Sequence, residues 1–243
     1  MKCYGILPMA GKGSRVQPIA FSKELYPVAY RKQHFAISEF SVRAMLRAKV
    51  DEIKLVINPN KLDLAKYYAT YNAPLSMYFY NSPSLPESCL FPIFGLHDDD
   101  ICLFGLPDTI FSPRDCYVKI RRCLKKGVDI CLGLFKVDDG SKFDSVKISG
   151  KKDVLKVEVK KSPPLSNWIW GIWGANVKTL KLLQKEIARQ GKKRERLLGV
   201  GFNALAKKKK VVFKAEKLGK SYFDVGTMDA IVKVNKVIDN FNF

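Results

Sequence analysis

The sequence predicts an α/β fold in which a mostly parallel central sheet carries helices on both faces and is joined to a smaller β-rich part. Three observations predict it. Up to about residue 135, short apolar runs bounded by Gly, Pro, Asn or Asp alternate with segments whose apolar residues recur every three to four positions, the mark of successive β-α units. After Gly140 the pattern changes to shorter strand-like runs separated by Lys-Lys and Pro-Pro turns. With 243 residues, 47% apolar and 27% charged, the chain can bury a full core, and disorder as the main state is excluded.

The first run, Cys3 to Leu7, is rich in apolar residues and is closed by Pro8. Glu52 to Ile57, Leu75 to Tyr80, Ile101 to Leu106 and Val128 to Phe135 repeat that composition and read as further strands. Between them, Phe35 to Lys49 places Ile37, Phe40, Val42, Met45 and Leu46 on one helical face, and Leu62 to Tyr71 and Tyr117 to Leu124 read in the same way. Such an order implies a Rossmann-like sheet whose ligands gather at the carboxyl ends of its strands. Beyond Gly140, strands are expected at Ser145 to Ile148, Val154 to Val159 and Trp168 to Ala175. Helices Val177 to Ala188 and Leu197 to Ala206 follow, then strands Val211 to Ala215 and Ser221 to Asp224, and a last helix Met228 to Ile238. No repeat or low-complexity linker interrupts the chain, so it reads as one domain, 1–243, with the β-rich part packed on the first part across a cleft.

Charge narrows the partners. Lys and Arg number 43 against 23 Asp and Glu, a formal charge of +20, which favours polyanions: nucleic acid, anionic lipid or phosphorylated small molecules. The excess is uneven, +3 over residues 1–100 and +17 over 101–243. Six cysteines, at 3, 89, 102, 116, 123 and 131, show neither a CxxC pair nor Cys/His ligand spacing, so a disulfide scaffold or zinc site is not expected. His34 and His97 have no partner pattern for catalysis or metal binding. No apolar stretch reaches the ~18 residues of a membrane span, and the N-terminal run is too short for a signal peptide. The expectation is a soluble, reduced, cytoplasmic protein with no membrane partner.

The strongest local signal is Ile6-Leu7-Pro8-Met9-Ala10-Gly11-Lys12-Gly13-Ser14-Arg15-Val16-Gln17-Pro18, directly after the first strand and followed by Phe21-Ser22-Lys23-Glu24-Leu25-Tyr26-Pro27-Val28. Glycines let the backbone approach a phosphate chain and aim its N–H groups at anionic oxygens, while Arg15 and Lys23 add charge there. The third glycine of a dinucleotide fingerprint and the GK[ST] of a P-loop are both missing. Read alone, Gly11 and Gly13 fit a tight turn equally well.

With Arg15, Pro18, Lys23 and Pro27-Val28 added, the segment resembles the N-terminal signature of the sugar-1-phosphate nucleotidylyltransferases. These are the nucleotide-sugar pyrophosphorylases, of which glucose-1-phosphate thymidylyltransferase is the best-defined group. Three further matches follow in the family's order: Gly105-Leu106-Pro107-Asp108-Thr109-Ile110-Phe111, Val159-Lys160-Lys161-Ser162-Pro163, and Tyr222-Phe223-Asp224-Val225-Gly226-Thr227. Four ordered matches are hard to explain by chance. The resemblance implies a nucleotide-diphospho-sugar transferase-like fold, with a nucleotide-binding core over 1–139 and a sugar-phosphate-binding part over 140–243. It implies Mg²⁺-dependent joining of a nucleoside triphosphate to a sugar 1-phosphate or similar phosphorylated alcohol, with release of pyrophosphate, and a homo-oligomer as in many relatives.

By the same resemblance, Arg15 and Lys23 are the catalytic cations, and Leu7, Ala10, Gly11, Gly13, Ser14, Ser84 and Pro86 complete the nucleotide site. Glu158, Lys160 and Gly171 would serve the sugar phosphate, and Asp108 and Asp224 would hold Mg²⁺. The chemistry fits independently: joining two polyanions is opposed by charge repulsion, which cations and a carboxylate-held metal relieve. Asp108 and Asp224 each close an expected strand, although Asp224 is equally placed to cap the helix near Thr227.

Several positions depart from the family. Ser84 replaces the glycine of the loop beneath the nucleobase, and the glutamine that reads a pyrimidine appears as Phe79 or Asn81. Val159 stands where the family carries a sugar-binding glutamate, with Glu158 one residue earlier, and Pro107 replaces the glycine before the metal aspartate. Trp168, Trp170 and Trp173 surround Gly171, where they can stack on a sugar or pack a core. These changes leave open a noncatalytic, nucleotide-binding relative of the same fold. Lys192 to Arg196 and Lys207 to Lys210 suggest nucleic-acid binding, but no recognition signature accompanies them, and solvated basic loops are the favoured reading.

Overall fold

The structure is a computed structural model that describes residues 1–11, 13, 19–191 and 195–240. Strand β1 (Cys3–Met9) runs through the centre of the sheet. It continues one residue past Pro8, because β6 (Ile101–Phe104) stops opposite Ile6 and the missing Pro8 N–H falls where no strand needs it. A short hairpin, β2 (Pro27–Tyr30) and β3 (Gln33–Ala36), precedes helix α1 (Ile37–Arg47). Its turn is Arg31-Lys32, both at positive φ (48° and 63°), the geometry that two-residue hairpin loops require. Parallel strand β4 (Glu52–Ile57) follows, then α2 (Leu62–Ala69) and β5 (Leu75–Phe79), and a short α3 (Leu85–Leu90) leads to β6 on the other side of β1.

Beyond β6, a small β7 (Thr109–Ser112) precedes α4 (Cys116–Lys125), β8 (Ile130–Lys136), β9 (Ser145–Ile148), β10 (Val154–Glu158) and β11 (Trp168–Asn176). Helices α5 (Val177–Ala188) and α6 (Leu198–Ala206), strands β12 (Phe213–Gly219) and β13 (Ser221–Asp224), and α7 (Met228–Val237) complete the chain. In the run β12-β8-β11-β6-β1-β4-β5 only β11 opposes the others, so the sheet is mostly parallel, as its sequence pattern predicts. The strands after Gly140 extend this same sheet: β9 and β10 attach to the β11 edge beside β6, beyond the carboxyl end of β6.

Period-two alternation sorts the sheet's side chains between two cores. Leu7, Met9, Leu103, Cys131 and Phe135 face α1, α2 and α4, whereas Ile6, Cys102, Phe104, Leu132 and Leu134 face α3, α5 and α6. In β11 the register slips between Trp170 and Ile172, a bulge at Gly171 that puts Trp170 and Trp173 on one face. Trp173 is a core residue: its ring stacks on Phe104 at 3.9 Å and meets Phe202 edge-on. A third core, with Val28, Phe40, Ile110, Val225 and Val234, ties the hairpin, α1 and α7 to the small β7–β13 ladder.

Trp173 is the largest fully buried side chain and spans the contact between β6, β11 and α6. Replacing it with alanine leaves a cavity that close-packed strands and a helix cannot collapse, so Trp173→Ala is expected to cost about 3–5 kcal/mol. Urea unfolding measures this as a lowered midpoint at unchanged m-value; a loss below about 1 kcal/mol would show the stack to be replaceable.

Candidate active site

The chain leaves β1, builds β4 and β5 on one side, and then crosses to place β6 on the other. This switch point opens a crevice at the carboxyl ends of β1 and β6, where α/β sheets bind ligands. A cavity of about 750 Å³ lies there, and residues 142–144, 159–160 and 195–198 wall its far side. Because β9 occupies the β11 edge just past the end of β6, the part of the chain after Gly140 faces Gly11 and Gly13 across this space.

Asp108 follows β6, and its peptide carbonyl accepts from the Val225 N–H at 2.8 Å, while Asp224 lies opposite Thr109 in the β7–β13 ladder. The ladder brings the two carboxylates to one wall. Lys23, in a single 3₁₀ turn after the glycine loop, donates to Asp108. Burial favours the neutral amine of Lys23, but Asp108, Glu24 and Asp224 outweigh it and raise its pKa, so the ammonium stays charged. Gly13 holds φ at +66°, a conformation that favours glycine, and packs directly beside the Lys23 side chain.

A second layer fixes this turn. Glu24 is almost fully buried; burial raises its pKa, and Lys61, 2.8 Å away, opposes the rise. Lys61 also donates to the Met9 carbonyl, and Asn58 donates to that of Ala10, so the end of β4 supports the start of the loop. Asp63 accepts from both the N–H and the hydroxyl of Ser22, directly before Lys23. On the far wall, Asp144 is pushed up by burial, opposed by the nearby Trp170 indole N–H, which closes no well-formed hydrogen bond, and by Lys160. Lys160 itself turns into the cavity wall at φ +36°. Arg196, before α6 and on the cavity lining, forms a 2.5 Å ion pair with Glu87 on α3.

Among the residues expected from sequence, Ala10, Gly11, Gly13, Lys23, Ser84, Pro86, Asp108, Lys160 and Asp224 share this cavity. Ser14 and Arg15 lie outside the described residues. Leu7 is fully buried beneath the loop in the core. Glu158 turns away from the cavity wall to pair with Lys156 and Lys161, and Val159 takes the wall position. Gly171 lies behind the wall, where a side chain would strike the Tyr222 ring. Of the two candidates for reading a base, Asn81 lines the cavity, whereas Phe79 is turned to solvent. Sequence reasoning missed Asn58, Lys61, Asp63, Asp144 and the Glu87–Arg196 pair; only the Asn58-Pro59-Asn60 turn after a legible strand signalled any of them.

No group of three or more His, Cys, Asp or Glu suited to a metal occurs among the described residues, nor is any described helix long and apolar enough to cross a membrane. No family model matches the chain, and no curated protein matches it in sequence. Solved structures do match. A UDP-glucose pyrophosphorylase with UDP-glucose bound superposes at a TM-score of 0.83 with 16% identity, over 99% of each chain. A putative glucose-1-phosphate thymidylyltransferase from Bacillus anthracis, in complex with sucrose, matches at 0.81 with 17% identity, over 99% of this chain and 97% of that one. A UTP-bound UGPase from Acinetobacter baumannii matches at 0.77 with 17% identity, over 98% and 93%. The chain therefore has the fold of the sugar-nucleotide pyrophosphorylases.

The Asp63–Ser22 contact gives the turn that carries Lys23 a definite acid sensitivity. Burial alone would raise the Asp63 pKa, but the hydrogen bonds from Ser22 outweigh it and hold it below the usual carboxylate value. A carboxyl depressed in the folded state contributes stability above its unfolded pKa and loses it as pH falls through the folded value. Asp63→Asn should therefore flatten the dependence of the urea midpoint on pH between about 5 and 2. An unchanged slope would mean that the contact contributes nothing to stability.

Proposed function

We propose that this chain is a Mg²⁺-dependent nucleotidyltransferase that joins a nucleoside triphosphate to a sugar 1-phosphate or similar phosphorylated alcohol, releasing pyrophosphate. The observation that carries the reading is Lys23 bonded to Asp108, with Asp224 beside them, in a cavity bounded by both the glycine loop and the Lys160 turn. One wall supplies cations and backbone N–H groups to a triphosphate; the opposite wall supplies Lys160 to a second phosphate. Fold likeness to a UTP-bound and a UDP-glucose-bound structure supports a nucleotide and a sugar as the ligands.

Asp108 and Asp224 suit Mg²⁺, which is commonly held by one or two carboxylates with water and substrate phosphates completing its octahedron. When bound there, Mg²⁺ supplies charge neutralisation on the phosphate oxygens. Lys23 screens the α-phosphate and the incoming phosphate as they approach, and its raised pKa keeps it charged throughout the physiological range. Lys160 holds the sugar phosphate from the opposite wall, and Arg15 is assigned to the leaving pyrophosphate. Gly11 and Gly13 admit the triphosphate to the backbone, while Asn81, Ser84 and Pro86 border the base. An attacking phosphate oxygen is already ionised at neutral pH, so the reaction needs alignment and charge relief, with no general base and no covalent enzyme intermediate.

A pyrophosphate-release screen of nucleoside triphosphates against sugar and alcohol phosphates, with Mg²⁺, tests the reading directly. Lys23→Ala should lower turnover at least about 100-fold, the scale for losing a charge-stabilising donor. An effect below about threefold would remove Lys23 from the reaction. Asp108→Asn and Asp224→Asn should each abolish Mg²⁺-dependent release while leaving the fold intact by circular dichroism, and full activity in either would overturn the metal assignment.

A further inference from the structure

The far wall of the cavity carries groups that no phosphate assignment uses. Ser145 of β9 lies opposite Glu158 of β10 on one side and Ile169 of β11 on the other. One residue nearer the cavity, the same register sets Asp144 between Val159 and Trp170, and directly opposed residues share a face of a sheet. All three line the cavity, so its far wall presents a carboxylate flanked by an isopropyl group and an indole. Glu158, the next carboxylate on β10, turns away and pairs with Lys156 and Lys161.

Packing behind the row holds Asp144 in place. Gly199, in the first turn of α6, leaves the space for it: a methyl group there would lie 3.2 Å from Oδ2 of Asp144 and 2.8 Å from Cγ2 of Val159. The first turn of a helix favours a negative charge, and Lys160 lies near enough to balance this one. An ionised carboxylate accepts at about four sites, more than the nearby N–H groups of Trp170 and Lys160 can fill. Half-buried beside Val159, Asp144 therefore keeps an acceptor position for whatever enters the cavity.

We propose that Asp144 is the specificity-determining residue of the acceptor side, accepting a hydrogen bond from a hydroxyl on the carbon next to the phosphorylated one. This rests on the proposed function, in which Lys160 holds the acceptor's phosphate. A group that reaches Asp144 while the phosphate stays on the neighbouring Lys160 has to sit a short bond path from the phosphorylated carbon. Charge selects a neutral donor: Lys160 already balances the carboxylate and Lys142 also lines the cavity, so an ammonium would meet like charge. Val159 accepts nothing, so the row reads one hydroxyl and packs the rest of the acceptor against apolar surface. The acceptor class is a phosphate ester of a vicinal diol, not of a simple alcohol.

Two pairs of acceptors differ by that hydroxyl alone: glucose 1-phosphate with 2-deoxyglucose 1-phosphate, and glycerol 1-phosphate with 3-hydroxypropyl phosphate. Pyrophosphate release with Mg²⁺ and each nucleoside triphosphate measures kcat/KM for both members. The unaltered chain should prefer the hydroxylated member at least about 10-fold in whichever pair it uses, the scale of a hydrogen bond to a charged group. Asp144→Ala should bring that ratio below about threefold, whereas Asp144→Asn, whose amide oxygen still accepts, should keep part of it; KM for the triphosphate should stay unchanged in both. A role confined to bracing the Lys160 turn would slow both members equally and leave the ratio intact. The ratio of the unaltered chain keeps the test decisive if Asp144→Ala folds poorly. A ratio near one, or a preference that survives Asp144→Ala, would overturn the proposal and leave the nucleotidyltransferase reading standing. No pyrophosphate from any combination would instead count against that reading. Titration calorimetry of glucose 1-phosphate and its 2-deoxy analogue then decides the role of Asp144: tighter binding of the hydroxylated member, lost in Asp144→Ala, supports it, and equal affinities or no binding of either would overturn it.

Discussion

The ion pair between Lys23 and Asp108 is the contact on which the cavity's organisation depends. Each side chain is more than four-fifths buried, and charges so placed lose much of their hydration. The cost is offset because the ammonium has several partners of opposite sign: Asp108 by direct contact, with Glu24 and Asp224 near enough to hold its pKa up. Glu24 is in turn answered by Lys61. The result is an alternating cluster in which no charge is isolated. Under the proposed function, a phosphate that takes Lys23 and a cation that takes Asp108 separate the pair together, so neither residue is left buried and unpaired. The same pairing keeps the cluster compact before substrates arrive.

Placement of this cluster rests on the one reversed strand. With β11 antiparallel to both neighbours, its first residues project beyond the carboxyl end of β6, and β9 takes the edge that β6 vacates. A fully parallel sheet would offer only loops at that end. Here a second ladder, β9–β10, docks there, and α6 secures it: Asn203 hydrogen-bonds both the N–H and the carbonyl of Val157, at 2.8 and 2.6 Å. Lys160 thus extends from a braced strand. Its left-handed backbone is costly for a lysine, and a firmly held strand end is the setting in which such a conformation persists.

Elements whose signal is local composition were legible from sequence. Glu52–Ile57, Ser145–Ile148, Val177–Ala188 and Ser221–Asp224 form where their residues predict, because a bounded apolar run or an unbroken helical face leaves little choice. Elements that depend on distant partners were not. Strand β7 exists because Ser221–Asp224 arrives to pair with it, and β3 was absorbed into the helical pattern that follows, since its Arg31-Lys32 turn lacks the usual Asn-Gly or Asp-Gly signature. The separation of Glu158 from Val159 was legible in part: alternation along a strand sends neighbours to opposite faces, and the structure leaves valine on the cavity wall. Asp63 and Asp144 carried no motif; their importance lies in contacts with Ser22 and with the Lys160 turn, which no single segment reveals.

The charge of +20 now separates into parts with different physical consequences. Among the described residues, the cavity cations Lys23, Lys142, Lys160 and Arg196 lie among carboxylates: Lys23 and Arg196 bond Asp108 and Glu87, Lys142 lies 3.9 Å from Asp139, and Lys160 sits near Asp144. Each of these cations is held near a carboxylate, so under the proposed function selectivity for phosphates rests on geometry, with cations held where oxygens would sit. The surplus is carried by exposed lysines elsewhere, whose unscreened field extends only about 8–10 Å at ordinary ionic strength. That range is long enough to draw anionic ligands toward the molecule and to keep copies apart over most of their surface. It is too short to reach across the molecule, so each basic surface acts only on what comes close to it.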